Sequence, residues 1–285
     1  MPVATAAEEL NGDLPLTGVQ RSAYMQFHVA RNRSNTQGSA QVNSRAGMRP
    51  SHFSGMVPPS VPRVSTPSRA SSIEFFACAA HLLAPRWRGR SITVVDIGAG
   101  CGRQLDCLIA MGLSGHCIAV DIARHPRWQD GPRGGFSRQL VLQDVNTIDA
   151  GTFPTIDLIL SNTALEHIRD DVGAIAAVSQ RLHPEGCQVH FVPGEASLAL
   201  YGPHGYRQYS PACLAALFPC GEIHRYGGAA SNELHAQWIS PATMHGVDRR
   251  DEDPEKYAHL RELAMDEDEI DGHTPAAMYG VLVAP

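Results

Sequence analysis

The stretch that decides the fold is VVDIGAGCGRQLDCL, which runs from Val94 to Leu108. An apolar, β-branched run leads into three glycines at alternate positions, Gly98, Gly100 and Gly102, and a helical pattern follows. Glycine permits backbone conformations with positive φ and lets a ligand approach the main chain closely. The first turn of the following helix adds unpaired N–H groups. A strand, a glycine turn and a helix in this order therefore predict a site that faces an anion or a nucleotide.

The spacing of the glycines separates this turn from the dinucleotide-binding type. Dinucleotide-binding turns follow the pattern G-x-G-x-x-G. Here the third glycine comes one residue early, and Arg103 stands where the last dinucleotide glycine would be. No Tyr-x-x-x-Lys set for hydride transfer accompanies it, and the one lysine, Lys256, lies in an acidic segment. A nicotinamide-dependent oxidoreductase is therefore disfavoured, and we keep it as an alternative.

Two further carboxylates follow at the ends of the next two strands of the pattern. Asp121 ends the run HCIAVD, and Asp144 follows the run LVLQ. In a parallel sheet the carboxyl ends of neighbouring strands meet at one edge, where ligands bind. There Asp121 can accept hydrogen bonds from a ribose diol, and Asp144 can contact an adenine amino group. The chain thus carries three such features in order, namely the glycine turn, Asp121 and Asp144, and together they predict a single nucleoside site.

Strands and helices alternate through the middle of the chain, which predicts an α/β fold with a mostly parallel sheet covered on both faces. A helix is also expected before the first strand, with Ser72 as N-cap and Pro85 past its end. The predicted strands are Ile92–Ile97, Cys117–Val120, Leu140–Leu142, Ile156–Leu160 and Val189–Val192, and the helices between them include Gln104–Met111 and Val172–Leu182.

Taken together, these segments resemble the class I S-adenosylmethionine-dependent methyltransferases over about residues 91–193. VVDIGAGCG resembles the first motif of that family, AVDIA the second and QDV the third, while FPTIDLILSNTALEHIRD resembles the fourth strand with the segment behind it. The run RLHPEGCQVHFVP is similar to the turn and fifth strand, with Cys187 in place of a second glycine. The resemblance implies a Rossmann-like, doubly wound, mostly parallel seven-stranded sheet with an antiparallel last strand.

The same resemblance implies a set of cofactor-binding residues for S-adenosyl-L-methionine. Asp96 and the glycine turn would face the methionine part, Asp121 the ribose, Asp144 with Val145 the adenine, and Ser161 with Asn162 the sulfonium. The full predicted set is Asp96, Gly98, Ala99, Gly100, Gly102, Asp121, Ile122, Asp144, Val145, Ser161 and Asn162.

Two histidines are candidates for a general base, which an oxygen or nitrogen acceptor needs for its proton. His167 lies in TALEHIRD behind the fourth strand, where it can equally well have a structural role. His204 lies after the fifth strand, in YGPHGYRQYSP. Ubiquinone-type O-methyltransferases carry a further glutamate upstream of the Glu-His pair as a metal ligand, but Thr163 occupies that position here. We therefore expect no metal.

The segment after the fifth strand also carries the predicted substrate-binding residues Tyr206, Arg207 and Tyr209. Polar aromatic side chains and an arginine suit a sugar or another hydroxylated small molecule, although a polar loop that happens to be rich in tyrosine is the alternative. The sequence thus predicts methylation of a small molecule or saccharide, with oxygen as the expected atom. A non-catalytic cofactor-binding protein of the same fold remains a further alternative.

The charge pattern predicts the domain organisation. We expect an N-terminal arm over residues 1–70, with a short helix near Val19–Ala30 and irregular chain from Arg31 to Ser72, then a methyltransferase domain over residues 71–285 with an insertion at about 240–274. The first 90 residues hold ten arginines and four acidic residues, whereas residues 248–271 hold eleven acidic and four basic residues. This opposite charge motivates the hypothesis that the arm contacts the insertion.

Composition restricts the remaining classes of function. A net charge of −6 disfavours nucleic acid as a partner. No apolar run is long enough to span a membrane, and the start of the chain lacks the features of a signal peptide. Seven cysteines without a C-x-x-C pair indicate thiols in a reducing compartment, so a cytoplasmic location is expected. The oligomeric state is left open.

Overall fold

The computed structural model describes residues 7–38, 44–241, 246, 248–270 and 275–285. Its strands are β1 (Ser44–Ala46), β2 (Ser91–Ile97), β3 (Ser114–Asp121), β4 (Gly135–Leu142), β5 (Ile156–Asn162), β6 (Leu182–Pro193), β7 (Glu222–Tyr226) and β8 (Met278–Val283). Its helices are α1 (Gly18–Gly38), α2 (Pro67–Trp87), α3 (Leu105–Ala110), α4 (Asp171–Ser179), α5 (Ser197–Tyr201), α6 (Pro211–Leu217), α7 (Ala229–Trp238) and α8 (Pro254–Ile270).

The eight strands form one sheet in the order β1-β7-β8-β6-β5-β2-β3-β4. The pairs β1/β7, β2/β3, β2/β5, β3/β4 and β5/β6 are parallel, whereas β8 is antiparallel to both β6 and β7. The fold is therefore the expected Rossmann-like, doubly wound one. The expected number of seven strands is wrong, because Ser44–Ala46 adds an eighth strand at the β7 edge.

Apolar side chains cover both faces of the sheet. On one face, Phe75 of α2 and Leu105 of α3 pack against strand residues such as Val94. On the other face, Ile175 of α4 and Leu214 of α6 pack against a second set of strand residues. Because both faces of the central strands are buried, these strands are apolar throughout, as their sequences suggested. The carboxyl ends of β2 and β5 adjoin at the centre of the sheet, where the chain crosses from one half of the sheet to the other.

Several helix boundaries differ from those expected. The N-cap of α2 is Thr66, whose hydroxyl accepts a hydrogen bond from the Arg69 N–H at 3.2 Å, so the helix begins before Ser72. Pro85 lies inside the last turns of this helix and not past its end. The expected irregular chain from Arg31 is wrong up to Gly38, where α1 ends. The residues after β7 form the helix α7, which lies outside the elements predicted from the sequence.

Two helix ends carry clear local sequence signals. Gly112 follows α3 with a φ of 76°, as a C-terminal glycine requires. The Ser210 hydroxyl caps α6 by accepting a hydrogen bond from the Cys213 N–H at 3.2 Å, and Pro211 opens the helix. Both features depend on local backbone geometry, which explains why the sequence indicates them directly.

The acidic insertion packs against the N-terminal region. Arg49 lies 3.3 Å from a carboxylate oxygen of Glu262 and 3.2 Å from one of Asp266, and Arg63 lies 2.6 Å from one of Glu255. The hypothesis of contact between oppositely charged segments is therefore confirmed. The helix α8 is not a purely solvated one, since Tyr257 and Arg261 are buried, and Arg261 donates hydrogen bonds to the carbonyl oxygens of residues 62 and 63. The parts of the insertion at residues 242–245, 247 and 271–274 lie outside the described residues.

Within the described segments, every helix is too short or too polar to cross a bilayer.

Candidate active site

The glycine turn after β2 has the backbone geometry expected of it. Gly98, Gly100 and Gly102 have φ values of 65°, 52° and 72°, a region that side chains disfavour. A Cβ atom on Gly98 would lie 2.4 Å from the Cβ of Ala164, whereas one on Gly100 would have no atom within 4 Å. Gly98 therefore allows the turn to approach the segment after β5, and Gly100 leaves its backbone open to a ligand.

A cavity of about 280 Å³ lies on one side of this turn. Asp121, Ile122, Asp144 and Val145 line it, which are four of the predicted cofactor-binding residues. The Asp121 carboxylate accepts a hydrogen bond from the Gly100 N–H at 2.9 Å, so the tip of β3 is tied to the glycine turn. The side chain of Ile122 is 79% exposed and offers a flat apolar surface at the cavity wall.

Asp144 has a local structural role at the edge of the same cavity. One oxygen of its carboxylate accepts a hydrogen bond from the Asn146 N–H at 3.0 Å and caps a short 3₁₀ turn over Val145–Thr147. This turn places Val145 against the cavity. The two carboxylates predicted to hold a nucleoside therefore lie at one cavity.

A second cavity, of about 570 Å³, adjoins the first at Gly98 and Thr163, which line both. Ala99, Gly100 and Asn162 line it from the glycine turn and the end of β5. The Asn162 side chain accepts a hydrogen bond from the Ser72 hydroxyl at 3.0 Å, which ties the start of α2 to this wall. The two cavities together form one cleft at the carboxyl ends of β2 and β5, where open α/β sheets bind ligands.

Thr163 is a residue that the sequence did not single out for this cleft. It has a φ of 47°, and within the described residues it is the one non-glycine with a positive φ. A β-branched residue in this region is strained, and such strain is concentrated at functional sites. The strain is held in place by a hydrogen bond from the Thr163 N–H to the Phe191 carbonyl at 2.7 Å.

Three of the predicted cofactor-binding residues line neither cavity. Ser161 is fully buried, and its hydroxyl lies 2.7 Å from Nδ1 of His190 on the opposite face of the sheet from Asn162. Ser161 therefore lies away from the cleft, and its position does not support the assignment to the sulfonium. Gly102 is buried against the ring of Trp128, so it supports the turn from behind.

Asp96 is the third of these residues, and it lies beneath the glycine turn. Its side chain is buried, and its Oδ1 atom has no hydrogen-bond partner among the described residues. Burial, followed by the negative charge of Asp121, raises the pKa of Asp96 to about 8. Burial therefore favours the protonated form of this carboxyl, which lies outside the lining of both cavities.

The two candidate bases lie side by side and share one carboxylate. Nδ1 of His204 lies 3.2 Å from Oδ1 of Asp13, and Nδ1 of His167 lies 2.6 Å from Oδ2 of the same residue. The two imidazole rings are perpendicular, with centroids 4.6 Å apart. His204 lines the larger cavity and His167 the smaller one. Asp13 is a residue of the N-terminal segment that the sequence did not suggest.

The protonation states in this cluster follow from burial and from neighbouring charges. Burial, followed by the charge of His167, holds the pKa of His204 below its ordinary value, although Asp13 opposes this shift. Burial disfavours the ionised form of Asp13, but hydrogen bonds from His167 and Gly205 outweigh it, so the pKa of Asp13 is lowered. The result is a neutral imidazole with an ionised carboxylate at its Nδ1 atom. Nε2 of His204 is then the atom that can accept a proton.

Glu166 completes the cluster from below. Its carboxylate is fully buried, lines the larger cavity and has no hydrogen-bond partner among the described residues, with one oxygen 3.6 Å from Nε2 of His167. Burial raises the pKa of Glu166 to about 7, and the nearby His167 only partly offsets this. A carboxyl group with this pKa exchanges protons near neutral pH.

The N-terminal segment reaches the cluster because it docks on the loop that carries His204. The Gly12 N–H donates a hydrogen bond to the Gly205 carbonyl at 2.7 Å. A Cβ atom on Gly12 would lie only 2.2 Å from the backbone nitrogen of His204. From α1, the hydroxyl of Tyr24 donates to the His204 carbonyl at 2.9 Å. The loop is therefore held on two sides by residues that precede the central sheet.

The predicted substrate-binding residues lie outside the lining of the two cavities and make contacts within the protein. Arg207 forms an ion pair with Asp171 and donates a hydrogen bond to the Ile168 carbonyl at 3.3 Å. The Tyr209 hydroxyl donates to the other carboxylate oxygen of Asp171 at 2.6 Å, and the ring is buried. Tyr206 donates its backbone N–H to the Glu166 carbonyl at 2.7 Å. The three residues line neither cavity of the cleft. They fasten the loop to residues 166–171, which lead into α4.

The expectation that the protein binds no metal stays a prediction. Asp13, His167 and His204 offer three ligand atoms within 4.8 Å of one another. Both Nδ1 atoms, however, are already engaged by the carboxylate of Asp13.

Comparison with known proteins bears on what this cleft holds. Residues 95–189, which contain the glycine turn, Asp121, Asp144 and His167, match the family model of a methyltransferase domain. The protein is an S-adenosylmethionine-dependent methyltransferase. The matched family is a methyltransferase family and not an oxidoreductase one.

Among solved structures, the methyltransferase is similar to the 1,6-didemethyltoxoflavin-N1-methyltransferase of Burkholderia thailandensis, with 21% identity, a TM-score of 0.40, and coverage of 78% of this chain and 87% of that one. It is also similar to a SAM-dependent methyltransferase of Archaeoglobus fulgidus, with 15% identity, a TM-score of 0.47, and coverage of 73% and 92%. No significant match is found among curated protein sequences.

The residues of the cleft fit S-adenosylmethionine. The open space in front of Gly100 can accept the main-chain part of a methionine, and Asp121 lies at the tip of β3 beside an exposed apolar residue, Ile122. A carboxylate suits a ribose diol, and an apolar side chain suits the face of an adenine ring. In this methyltransferase, the smaller cavity would therefore hold the adenosine part and the glycine turn the methionine part.

Proposed function

We propose that the protein methylates a hydroxyl oxygen of a small molecule, saccharides included, and that His204 accepts the hydroxyl proton. The observation that carries this proposal is the geometry at His204. Its ring lines the larger cavity, and its Nδ1 atom is directed at the carboxylate of Asp13. A hydroxyl acceptor needs a base, since an alcohol is a poor nucleophile until its proton is removed.

The cofactor, when bound, supplies the methyl group as an electrophile. The chain then has to hold the acceptor oxygen in line and remove a proton from it. Asn162 lines the larger cavity and Thr163 lines both, so the end of β5 is placed to orient the acceptor beside the glycine turn. Asp13 keeps the Nδ1–H tautomer of His204, so that Nε2 accepts the proton, and its negative charge stabilises the imidazolium that results.

Glu166 provides a route for that proton away from the acceptor. It is buried below the histidines, and its raised pKa lets it take up or release a proton near neutral pH. The proton accepted by His204 can therefore pass to solvent, with Glu166, beside His167, as a group that holds it in transit. His167 has a supporting role in this scheme, because its two ring nitrogens face Asp13 and Glu166.

The size of the cleft supports an acceptor of metabolite size. The larger cavity measures about 570 Å³, which falls within the usual range for small-molecule sites, roughly 300–1,000 Å³. Part of this volume is needed for the methionine end of the cofactor. The acceptor that fits beside it is a small molecule.

The proposal is tested by a screen with a labelled methyl donor. Matched sets of alcohols, phenols, sugars, amines and thiols are incubated with the protein, and label transfer is measured. We expect transfer to a hydroxyl compound, and loss of that transfer in His204→Gln with S-adenosylhomocysteine affinity retained. Transfer only to amines or thiols, or full activity of His204→Gln, would contradict the proposal.

A further inference from the structure

The larger cavity has a strongly positive wall that the proposed chemistry at His204 does not use. Arg69 comes from the first turn of α2, Arg103 precedes α3, and Arg127 lies in the loop after β3. We propose that these three arginines form an anion-binding subsite, and that the methyl acceptor carries a carboxylate or phosphate group. This inference rests on the proposed function, whose acceptor class it narrows.

The guanidinium groups of these arginines are not neutralised. In the described part of the chain, none of the three forms an ion pair with a carboxylate, whereas Arg49, Arg133, Arg207 and Arg250 all do. Of the described residues that line the cavity, Glu166 is the one acidic side chain, and it is buried next to His167 at the other wall. A chain with a net charge of −6 therefore concentrates unpaired positive charge at this cavity.

The arginines also lie close enough to affect one another. Burial lowers the pKa of Arg69, and the charges of Arg103 and Arg127 lower it further. Three like charges at one cavity are unfavourable in the free protein, and an anion bound between them removes that repulsion. Because arginine binds carboxylates and phosphates through two parallel N–H groups, both kinds of anion fit.

The cofactor alone does not account for this charge. The methionine part of S-adenosylmethionine has one carboxylate, and its own ammonium and sulfonium groups are positive. One arginine, with Arg103 nearest the glycine turn in sequence, is sufficient for that carboxylate. Arg69 and Arg127 are exposed at the cavity and remain for the acceptor.

Polar neutral groups beside the arginines complete the subsite. Ser68, in the first turn of α2, lines the cavity together with Tyr201. The hydroxyl groups of these two residues are hydrogen-bonded to each other. His125 lines the same wall from the loop of Arg127. Hydroxyl and imidazole groups of this kind can donate to the remaining oxygens of a bound anion.

The test is calorimetric titration of the protein, both free and saturated with S-adenosylhomocysteine, with malonate in one arm and inorganic phosphate in the other at constant ionic strength. We expect saturable binding of one of these anions at a single site. Arg69→Gln and Arg127→Gln should each weaken that binding by about tenfold or more, as expected for loss of a charge-assisted hydrogen bond. The control is Arg88→Gln, which removes an exposed arginine just past the other end of α2.

Three outcomes would overturn the inference: no saturable binding of either anion, equal affinity in the arginine variants, or anion binding that S-adenosylhomocysteine abolishes. The last outcome would assign the arginines to the cofactor carboxylate. The two proposals fail separately. Methylation of a neutral sugar, with kinetics unchanged in Arg69→Gln, would contradict only the anion subsite. Anion binding without methyl transfer to any hydroxyl would contradict only the proposed reaction.

Discussion

Nδ1 of His204 lies 3.2 Å from Oδ1 of Asp13, so a carboxylate from the N-terminal segment fixes the orientation of an imidazole at the cleft. The contact depends on the docking of Gly12 on Gly205, where a side chain at residue 12 would collide with the backbone. The N-terminal segment thus contributes directly to the site that the central sheet builds. Loss of this segment should therefore impair methyl transfer more than cofactor binding.

Asp13→Asn is expected to lower kcat with little change in the KM of the cofactor, because it removes the charge that stabilises the imidazolium of His204. His204→Gln removes the base itself, and kcat should fall by about 10²–10⁴-fold. Both variants should bind S-adenosylhomocysteine as the wild type does. Steady-state kinetics together with calorimetry separates these effects.

The pH profile gives an independent check on the same pair. Since the pKa of His204 is held below 6.5 and its neutral form is the base, kcat/KM should be flat near neutral pH and fall as the pH drops through that pKa. Asp13 raises the pKa of His204, whereas His167 lowers it. In Asp13→Asn the acidic limb should therefore move to lower pH. An acidic limb at the wild-type position would show that Asp13 does not act through His204.

Asp121→Asn should weaken the binding of S-adenosylhomocysteine by about tenfold or more, since a hydrogen bond to a charged group contributes roughly 1.5–3 kcal/mol. Asp149→Asn is the matched control, because Asp149 also accepts a hydrogen bond from the N–H two residues further on but lines neither cavity. Calorimetry measures both. Equal affinities for the two variants would remove Asp121 from the site.

Gly98→Ala should abolish cofactor binding and lower the thermal midpoint, because the added Cβ would lie 2.4 Å from that of Ala164. Gly89→Ala provides the comparison. Gly89 has a φ of 79°, but a Cβ there meets no atom within 4 Å, so this variant has the backbone strain without the collision. That strain costs about 1–2 kcal/mol. We expect the Gly98 variant to be the less stable of the two and the only one with altered affinity.

Asp96→Asn should stabilise the protein in a pH-dependent way. The folded-state pKa of Asp96 is raised to about 8, from an ordinary value of 3.8, so its contribution to stability is full below about pH 4 and is lost as the pH rises toward 8. Asparagine stays neutral and has no such loss. The advantage of the variant in the free energy of unfolding should grow by at most about 1.4 kcal/mol per pH unit over this range.

Urea denaturation at pH 5.5, 6.5 and 7.5 measures this difference. Asp149→Asn, at an exposed position, should show no comparable trend. A stability difference for Asp96→Asn that is the same at all three pH values would contradict the protonated, buried state assigned to Asp96.

The sequence predicted those features that depend on local geometry and strand order. The positive φ values at Gly98, Gly100 and Gly102 follow from a tight turn between a strand and a helix, and the placement of Asp121 and Asp144 follows from parallel strands ending at one edge. The contact between the N-terminal arm and the acidic insertion was expected from opposite charge alone, and the structure shows that Arg49 and Arg63 make it.

The features that sequence reasoning missed depend on orientation or on long-range docking. Ser161 and Asn162 are neighbours in a strand, so their side chains point to opposite faces and cannot both line one cavity. Tyr209 and Arg207 have polar groups suited to a sugar, but Asp171 on α4 engages both of them. Asp13 could not be found from a local pattern, because it reaches His204 only through the packing of the N-terminal segment.

The most direct measurement is a crystal structure of the protein with S-adenosylhomocysteine. The account predicts the adenosine in the cavity lined by Asp121, Ile122, Asp144 and Val145, the homocysteine beside Gly98 and Gly100, and His204 facing the sulfur across the larger cavity. A ligand bound elsewhere, or one whose ribose does not contact Asp121, would contradict it.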